Sequence, residues 1–404
     1  MRALRAALIR WARTGRKQER PRVYILLMHA WGMGGTIRTT FNLAGRLAQT
    51  HEVEILSLVR RGDEPFFPFP PGVTVTAIDD QRPGALSPLA RFARRHLSEL
   101  GSILLHPADR GAHGAASVWL DIGLARALRS RTTGVLIGTR PGLNLLAVSA
   151  GAPSLVKIGQ EHMNMAAHPR PLRRALRRGY KNLDALVTLT ERDLEAYGKA
   201  VGERTALHAI PNATPDLGGQ RSDGTPRTVI AAGRLMRQKG FDRLIKAFAP
   251  VAEAHPDWQL VICGRGPKRA RLERLINGLG LAGNVTLAGP VQDMGAAMAD
   301  ASIYAMSSRA EGFPMVLLEA MNAGLPIVSF DCPTGPREIV EDRRNGLLVR
   351  NADVDALSRA LIEMIEDDEL RRQCSEGALR TAERYSLDAI APRWEALIAD
   401  LQKR

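Results

Sequence analysis

Short apolar runs alternate with amphipathic stretches along most of the chain, and this alternation predicts strands followed by helices. In the first half, the runs occupy residues 23–28, 53–59, 73–78, 135–138, 155–158 and 185–189. In the second half, they occupy residues 229–232, 259–264, 285–288, 303–306, 325–330 and 346–349. Strands that alternate with helices form parallel sheets with helices on both faces, so we predict an α/β fold.

A loop-like stretch divides this pattern into two halves. Residues 211–226 hold three prolines and three glycines, which predicts a linker. At 404 residues the chain is long enough for two domains of ordinary size. We expect one doubly wound domain over residues 21–210 and another over residues 227–386, followed by a helix over residues 387–404. Residues 83–114 show no clean periodicity.

The positive charge belongs to the first half of the chain. Residues 1–200 carry 30 Lys and Arg against 15 Asp and Glu, whereas residues 201–404 carry 26 against 27. A basic face suits an anionic lipid, a phosphorylated polymer or nucleic acid, and the alternative is an Arg-rich solvated surface. No stacking-aromatic motif accompanies the arginines, so we expect no nucleic-acid partner.

Two segments concentrate this charge. In residues 1–20, Leu4, Leu8 and Trp11 share one face at helical spacing and arginines share the other, as in helices that lie on anionic membranes. A transit peptide or a disordered tail would show a similar composition. A second basic helix is predicted over residues 170–181, where an anionic acceptor, a membrane or only solvent could meet the arginines.

Cysteine usage and hydropathy bear on the location of the protein. Cys263, Cys332 and Cys374 lack metal-ligand spacing and predict no disulfide framework, which favours a reducing cytoplasm. The sequence contains no apolar run of the roughly 18 residues that a membrane-spanning helix needs, so we expect none.

Two carboxylates, Glu311 and Glu319, flank a predicted loop-to-helix junction. The helix is predicted over residues 315–323, so Glu311 precedes its N-terminus and Glu319 lies within it. Free N–H groups at a helix N-terminus suit a phosphate, which predicts a pocket for a phosphorylated ligand. Glu319 taken alone could be a solvated helix residue. The segment that would line the pocket comprises Gly312, Phe313, Pro314, Met315, Val316 and Leu317.

Two cations follow the predicted strand at residues 229–232. Arg234 and Lys239 lie on its strand-to-helix loop, where they could neutralise a diphosphate leaving group without a metal ion. We expect no metal site.

Loops of the first half offer further candidates. Gly34 and Gly35 follow the first strand and precede a helix, as in the opening of a nucleotide-binding domain. Arg140 and His162 follow later strands, and ligands gather at the carboxyl ends of parallel strands. The alternative for His162 is a structural, hydrogen-bonding role.

The Glu-x7-Glu spacing of Glu311 and Glu319, with Arg234 and Lys239 upstream, resembles the retaining nucleotide-sugar glycosyltransferases of family 4 (glycosyl transferases group 1). The resemblance is strong in the C-terminal half and weak in the N-terminal half. It implies the GT-B fold, in which two doubly wound Rossmann-like domains face each other across a cleft. It also implies that the last helix packs back on the first domain, with Trp394 as an anchor.

The resemblance implies transfer of a sugar from a nucleotide diphosphate to an acceptor hydroxyl, with retention and without metal. Arg234 and Lys239 would hold the diphosphate, Glu319 the ribose, and Glu311 the donor sugar and its cationic transition state.

By the same resemblance, His162 would lie near the donor sugar and Gly34 and Gly35 near the donor phosphates. Val291 lies on a loop expected to meet the base.

The resemblance also suggests partners. A UDP-sugar is favoured as donor, with no cofactor beyond this substrate. The acceptor would be a lipid-linked or phosphate-rich glycan in the synthesis of cell-envelope glycan, a teichoic acid-like polymer or glycolipid, at the inner face of the membrane. The alternatives are a nucleic-acid- or polyanion-binding protein, an epimerase or phosphorylase of the same architecture, and a catalytically inactive relative.

Overall fold

A computed structural model describes residues 2–13, 22–107, 116–199, 201–214 and 218–403. Contacts between chain segments divide the protein into two compact units. The first comprises Met1–Ala213 with Ile390–Arg404, and the second comprises Thr214–Ala389. Each unit has its own parallel sheet, so the α/β prediction is confirmed.

In the described part of the first unit, seven parallel strands pair in the order β3-β2-β1-β4-β5-β6-β7. They are β1 (Arg22–Leu27), β2 (Glu52–Arg60), β3 (Val73–Asp80), β4 (Gly134–Gly138), β5 (Leu155–Gln160), β6 (Ala185–Thr188) and β7 (Ala206–Ala209). The order reverses between β1 and β4, where Ile25 pairs with Ile137. Ligands of doubly wound sheets bind at the carboxyl ends of the strands at such a reversal.

Helices cover both faces of this sheet, as parallel strands buried on both sides require. They are α1 (Arg2–Arg13), α2 (Gly35–Leu47), α3 (Pro88–Ser98), α4 (Val118–Arg129), α5 (Pro141–Ala150), α6 (Arg170–Gly179) and α7 (Glu191–Gly198). Short 3-10 turns lie at Met165–Ala167 and Tyr180–Asn182.

Helix α3 occupies the stretch in which the sequence showed no periodicity. Ser87 caps it by accepting a hydrogen bond from the Ala90 N–H, and Pro88 fits its first turn. Its half-buried face is built partly from alanines, while Leu89 and Phe92 are exposed. Apolar periodicity therefore gave no clear helix signal here.

In the second unit, the described residues form six parallel strands in the order β10-β9-β8-β11-β12-β13. They are β8 (Thr228–Ala232), β9 (Gln259–Cys263), β10 (Val285–Gly289), β11 (Ile303–Met306), β12 (Ile327–Asp331) and β13 (Gly346–Arg350). The helices are α8 (Phe241–Ala254), α9 (Arg269–Gly278), α10 (Met294–Ala299), α11 (Met315–Asn322), α12 (Pro336–Ile339), α13 (Val354–Glu366), α14 (Asp368–Arg384) and α15 (Leu387–Lys403). The strand order reverses between β8 and β11.

Helix α8 shows how the apolar pattern becomes a core. Phe241, Leu244, Phe248 and Val251 recur at intervals of three or four residues and are buried against the second sheet. Burying each such side chain contributes about 1.5–3 kcal/mol. This packing fixes the preceding loop, which carries Arg234 and Lys239.

The second unit begins at Thr214, inside the predicted linker of residues 211–226. Thr214 N–H donates to Tyr385 O at 2.7 Å, and Ser222 N–H donates to Ala323 O at 2.9 Å. These residues are therefore bonded within the second unit. Helix α15 joins the first unit from Ile390 onward, and its Trp394 is buried.

Helix α1 is an integral part of the first unit. Its Leu8, Ile9 and Ala12 pack with the core that α4 and α5 cover, whereas Leu4 and Trp11 are 43% and 37% exposed. Of the predicted apolar face, Leu8 therefore contributes to the core, whereas Leu4 and Trp11 remain exposed. Residues 14–20 of the predicted segment lie outside the described residues.

Over the residues that the structure places, none of the helices combines the length and apolar character needed to cross a bilayer.

Candidate functional site

The candidate site of the second unit lies at the reversal between β8 and β11. Lys239, on the loop after β8, donates from Nζ to Oε1 of Glu311, on the loop after β11, at 2.7 Å. The Glu311 side chain is only 9% exposed. The fold thus brings together two predicted site residues that are 72 positions apart in the sequence.

The carboxylate of Glu311 has a second fixed partner. Ser308 Oγ donates to the same Oε1 at 2.5 Å. The Glu311 N–H donates to Pro333 O at 3.2 Å, and the Thr334 hydroxyl donates to Glu311 O. Backbone and side chain are therefore both held, which is the condition for a carboxylate to act at a defined point.

An ion pair outside the predicted site joins the loop after β11 to the first turn of α8. Arg309 Nη1 and Nη2 donate to the two carboxylate oxygens of Asp242 at 2.9 and 2.7 Å, and Nη1 also donates to Arg237 O at 2.6 Å. The hydrogen bonds from Arg309 hold the pKa of Asp242 below its usual range. Arg309 adjoins the Glu311 motif, but nothing in the sequence pattern identifies Asp242 as its partner.

Two glycines allow these loops to approach. Gly240 has φ 67°, and a Cβ there would lie 2.0 Å from Ser307 O. Gly264 has φ 142°, and a Cβ there would lie 1.9 Å from Gly233 O. Side chains at either position would force apart the loops that follow β8, β9 and β11.

Glu319 lies in α11 as predicted and is half-buried. Its charge and that of Glu311 both act on the buried hydroxyl of Tyr304, on β11. Burial, and then these charges, raise the pKa of Tyr304 well above its usual value. Ala232 N–H donates to Tyr304 Oη at 3.2 Å, so this hydroxyl also ties the end of β8 to β11.

The N-terminus of α11 has no side-chain cap. Phe313 and Leu317 direct their side chains into the core of the unit, and the Phe313 ring lies 5.9 Å from that of Tyr385. Only the backbone groups of these two residues could therefore line the predicted pocket. The remaining predicted lining residues are half-buried Gly312, Met315 and Val316, and buried Pro314, which has no N–H.

Arg234 and Val291 stand apart from this cluster. Arg234 is exposed and has no side-chain hydrogen bond or ion pair with any residue that the structure describes. Val291 is half-buried on the loop after β10, an edge strand separated from β8 by β9. Among the described residues, neither side chain has a hydrogen bond or ion pair with Lys239 or Glu311.

In the first unit, the predicted glycines border open space. Helix α2 begins at Gly35 with no side-chain cap, and a Cβ on Gly35 would find no atom of the described chain within 4 Å. Gly34 is extended, with φ 166°, and its nearest neighbour would be the Ile37 side chain at 4.0 Å. Both positions leave the helix N-terminus unobstructed within this unit.

His162 follows β5, which β4 separates from β1. Its Nε2 is buried and has no hydrogen-bond partner among the residues described. Burial lowers the pKa of His162 to about 4, so the ring is neutral at neutral pH. A neutral imidazole can donate or accept a hydrogen bond without carrying charge.

A buried network holds the loop that carries His162. Glu161 accepts hydrogen bonds from Asn144 Nδ2 at 2.9 Å, from Tyr197 Oη at 3.2 Å and from the Tyr180 hydroxyl. The two tyrosine rings stack 6.4 Å apart, and burial raises the pKa of both. Sequence reasoning missed this network because tyrosines at helical spacing look like ordinary core residues. Its one signal was Glu161, directly before His162.

Among the described residues, no three His, Cys, Asp or Glu side chains are placed to hold a metal ion. The cysteines are free and buried, and burial raises the pKa of Cys374 to about 11.

Comparison with protein families adds to this geometry. Residues 216–381 match the family model described as glycosyl transferases group 1. The match lies within the second unit, Thr214–Ala389.

Two curated relatives align over most of the chain. An exopolysaccharide phosphotransferase of Streptomyces coelicolor is 38% identical over 394 residues, which are 94% of this chain and 41% of that protein. An uncharacterized glycosyltransferase of Haemophilus influenzae is 26% identical over 380 residues, which are 93% of this chain and 99% of that protein. The chain thus spans less than half the length of the first relative.

Solved structures show the same fold. A mutant of TarM from S. aureus, in complex with fondaparinux, alpha-GlcNAc-glycerol and UDP, has a TM-score of 0.74 at 14% identity. The match covers 94% of this chain and 99% of that chain. The GT-B fold class, with two Rossmann-like units, is thereby confirmed.

Proposed function

We propose that the protein is a retaining glycosyltransferase, which moves a sugar from a nucleotide diphosphate to an acceptor hydroxyl. The observation that carries this proposal is the Lys239–Glu311 contact at the strand reversal of the second unit. A cation and a carboxylate side by side suit a ligand whose phosphate adjoins a sugar. Both residues lie in the stretch 216–381 that matches the glycosyl transferases group 1 model, and this match supports the same chemistry.

The reaction is assigned to this chain's residues as follows. The bond between the anomeric carbon and the β-phosphate oxygen breaks, and the acceptor oxygen bonds to that carbon on the same face. The acceptor proton passes to the departing phosphate. Arg234, Lys239 and N–H groups at the start of α11 neutralise the diphosphate, so no metal ion is needed.

The carboxylates have separate roles in this proposal. Glu311 accepts hydrogen bonds from donor-sugar hydroxyls and stabilises the positive charge that develops on the sugar. Glu319, further along α11, accepts hydrogen bonds from the ribose. His162 is assigned to the donor sugar and Gly34 and Gly35 to the donor phosphates, on the family resemblance.

UDP is the favoured nucleotide, and the acceptor is a lipid-linked or phosphate-rich glycan of the cell envelope. TarM, which shares the fold, was solved with UDP and alpha-GlcNAc-glycerol, and the Streptomyces relative acts on exopolysaccharide by its name. The positive charge of residues 1–200 suits an anionic acceptor and a position at the inner face of the membrane.

One relative favours a second candidate function. The Streptomyces protein is called a phosphotransferase, and this chain is 38% identical to 41% of it. Transfer of a sugar phosphate would break the bond between the two phosphates of the donor. It would release UMP, whereas glycosyl transfer releases UDP.

A donor screen that identifies the released nucleotide tests both candidates. Purified full-length protein is incubated with UDP-glucose, UDP-galactose, UDP-N-acetylhexosamines and GDP-mannose, with glycerol phosphate oligomers as acceptor. UDP or GDP release, together with a product of unchanged anomeric configuration by NMR, is the expected result. UMP release would assign the second candidate, and an epimer or a free sugar phosphate would overturn both.

A further inference from the structure

Helix α3 carries large apolar side chains on its solvent side. Leu89 and Phe92 are 80% and 65% exposed, and their spacing of three residues puts them on one face of the helix. The Phe92 ring meets the His96 ring edge-on at 4.6 Å. Two adjacent exposed side chains of this size are characteristic of an interaction surface.

Cations adjoin this apolar strip. Arg91 and Arg95 are exposed on α3, and Pro88–Ser98 contains no acidic residue. Arg94 faces inward and pairs with buried Asp79 at 3.1 Å. The helix thus has an inner face held by the fold and an outer face of apolar and basic side chains.

Helix α1 has the same composition on its outer side. Leu4 and Trp11 are exposed among four arginines, and Arg2–Arg13 contains no acidic residue. Arg129 of α4 lies over the Trp11 ring, with its guanidinium carbon 5.4 Å from the ring centroid. Both α1 and α3 pack against α4.

Helix α4 adds no exposed negative charge to this side. Its acidic residue, Asp121, is buried and accepts hydrogen bonds from Ser102 Oγ and the Ile103 N–H, both at 2.6 Å. Its Arg126 is exposed. The outer surface of α1, α3 and α4 is therefore basic as well as partly apolar.

We propose that α1 and α3 form a docking surface for an anionic lipid bilayer. Leu4, Trp11, Leu89 and Phe92 enter the boundary between headgroups and acyl chains, and the flanking arginines bind lipid phosphates. A nucleic acid would match the arginines but leave the apolar side chains in water. The proposal deepens the membrane location given under the proposed function, and it does not depend on the transfer reaction.

Helix α6 provides an internal contrast. It is also rich in arginine, but its Leu172 and Leu176 are buried in the first unit. It therefore offers charge without exposed large apolar side chains. The basic helix that the sequence pairs with the N-terminal one is not part of this surface.

Vesicle sedimentation of the full chain tests the proposal. We expect binding to vesicles of equal parts phosphatidylglycerol and phosphatidylcholine, and weak binding to phosphatidylcholine alone. Binding should fall with salt, as the Debye length shrinks from about 10 Å at 0.1 M to about 3 Å at 1 M. L89S and F92S should each weaken partition about tenfold, because each removes an apolar side chain that the bilayer buries.

Charge variants and matched controls complete this series. R91Q and R95Q should each weaken binding to the anionic vesicles about fivefold. L279S, at a side chain that is 41% exposed in the second unit, and R271Q on α9 should leave binding unchanged. Thermal unfolding of every variant shows whether it is folded.

Trp11 provides a direct probe, because it is among the exposed large apolar side chains. Phospholipids brominated in the acyl chain should quench part of the tryptophan emission on binding. The quenching should largely disappear in W11F. Absence of quenching in the bound wild-type protein would contradict insertion of α1.

Several outcomes would overturn the proposal. These are no binding, equal binding to both vesicle types, wild-type binding by F92S, or loss of binding only when the α6 arginines are replaced. Tighter binding to duplex DNA or polyglutamate than to anionic vesicles, weakened by F92S, would assign the surface to a macromolecule instead. Transfer to a short soluble acceptor should be the same in L89S and wild type, which separates failure of this surface from failure of the proposed function.

Discussion

Lys239 and Ser308 donate to the same carboxylate oxygen, Oε1 of Glu311, at 2.7 and 2.5 Å. The other oxygen, Oε2, has no hydrogen-bond partner among the residues described. A carboxylate held by one oxygen keeps its orientation while the second oxygen can accept a hydrogen bond from a ligand. In the proposed reaction that ligand group is a hydroxyl of the donor sugar.

Lys239→Ala and Arg234→Ala should both lower kcat by about two to three orders of magnitude, the usual scale for losing a transition-state charge partner. Their effects on stability should differ. Lys239→Ala leaves the nearly buried Glu311 with one partner and should lower the free energy of unfolding by about 1–3 kcal/mol. Arg234 is exposed and has no described side-chain partner, so its loss should change that free energy by less than about 0.5 kcal/mol.

Transfer kinetics and urea unfolding of both variants measure these effects. Arg271→Ala, at an exposed position on α9, is the matched control and should match wild type in both assays. Wild-type activity in two folded variants at Arg234 and Lys239 would remove the diphosphate assignment.

Activity should persist in excess chelator, because Arg234 and Lys239 are proposed to neutralise the leaving group. Initial rates are measured on protein dialysed against EDTA, with and without added Mg²⁺ or Mn²⁺. An absolute requirement for either ion would replace this mechanism with a metal-clamped one.

His162 should make the protein less stable in acid. Its pKa is 6.5 in an ordinary setting and about 4 when folded, so below pH 6.5 the unfolded chain binds a proton that the folded chain does not. The stability that this difference supplies is present above pH 6.5 and is lost as pH falls toward 4. Between pH 7 and pH 4.5, wild type should therefore lose about 2–3 kcal/mol more than His162→Gln. Denaturant unfolding at the two pH values measures this difference, and parallel losses would refute it.

Gly264→Ala should destabilise the second unit, because its methyl group would lie 1.9 Å from Gly233 O. We expect a loss of about 3 kcal/mol or more, together with lower activity, since the loop after β8, which carries Lys239, must shift away from the loop after β9. Gly278→Ala, at the end of α9 with no described atom within 4 Å, should be neutral or mildly stabilising. Equal stability of the two variants would show that the loops adapt.

The second unit was predictable in outline because its site residues lie next to strong local signals. Apolar runs ended at glycine-containing loops, and the loops led into amphipathic helices, so Arg234, Lys239 and Glu311 could be placed at strand ends. The pairing of Arg309 with Asp242 was not predictable, because 67 residues separate two ordinary surface residue types. The side-chain burial of Phe313 was missed for a similar reason, since its neighbour Tyr385 follows α14 and is distant in the sequence.

The first unit was harder to read. Glu161 is held by Tyr180 and Tyr197, whose positions look like helix core until the fold shows both hydroxyls meeting one carboxylate. Helix α3 was missed because its largest apolar side chains face outward. Sequence periodicity identifies residues that pack in the core. It does not identify residues whose partners lie outside the core.

The division of the chain into units also determines the order in which the two units can finish folding during translation. The second unit is one uninterrupted stretch, Thr214–Ala389, and can complete its core as soon as that stretch has emerged. The first unit begins earlier but still lacks Ile390–Arg404, including the buried Trp394, at that moment. Until those residues are made, the apolar surface that they cover stays exposed on the nascent first unit. The unit that is translated first is therefore the last to finish folding.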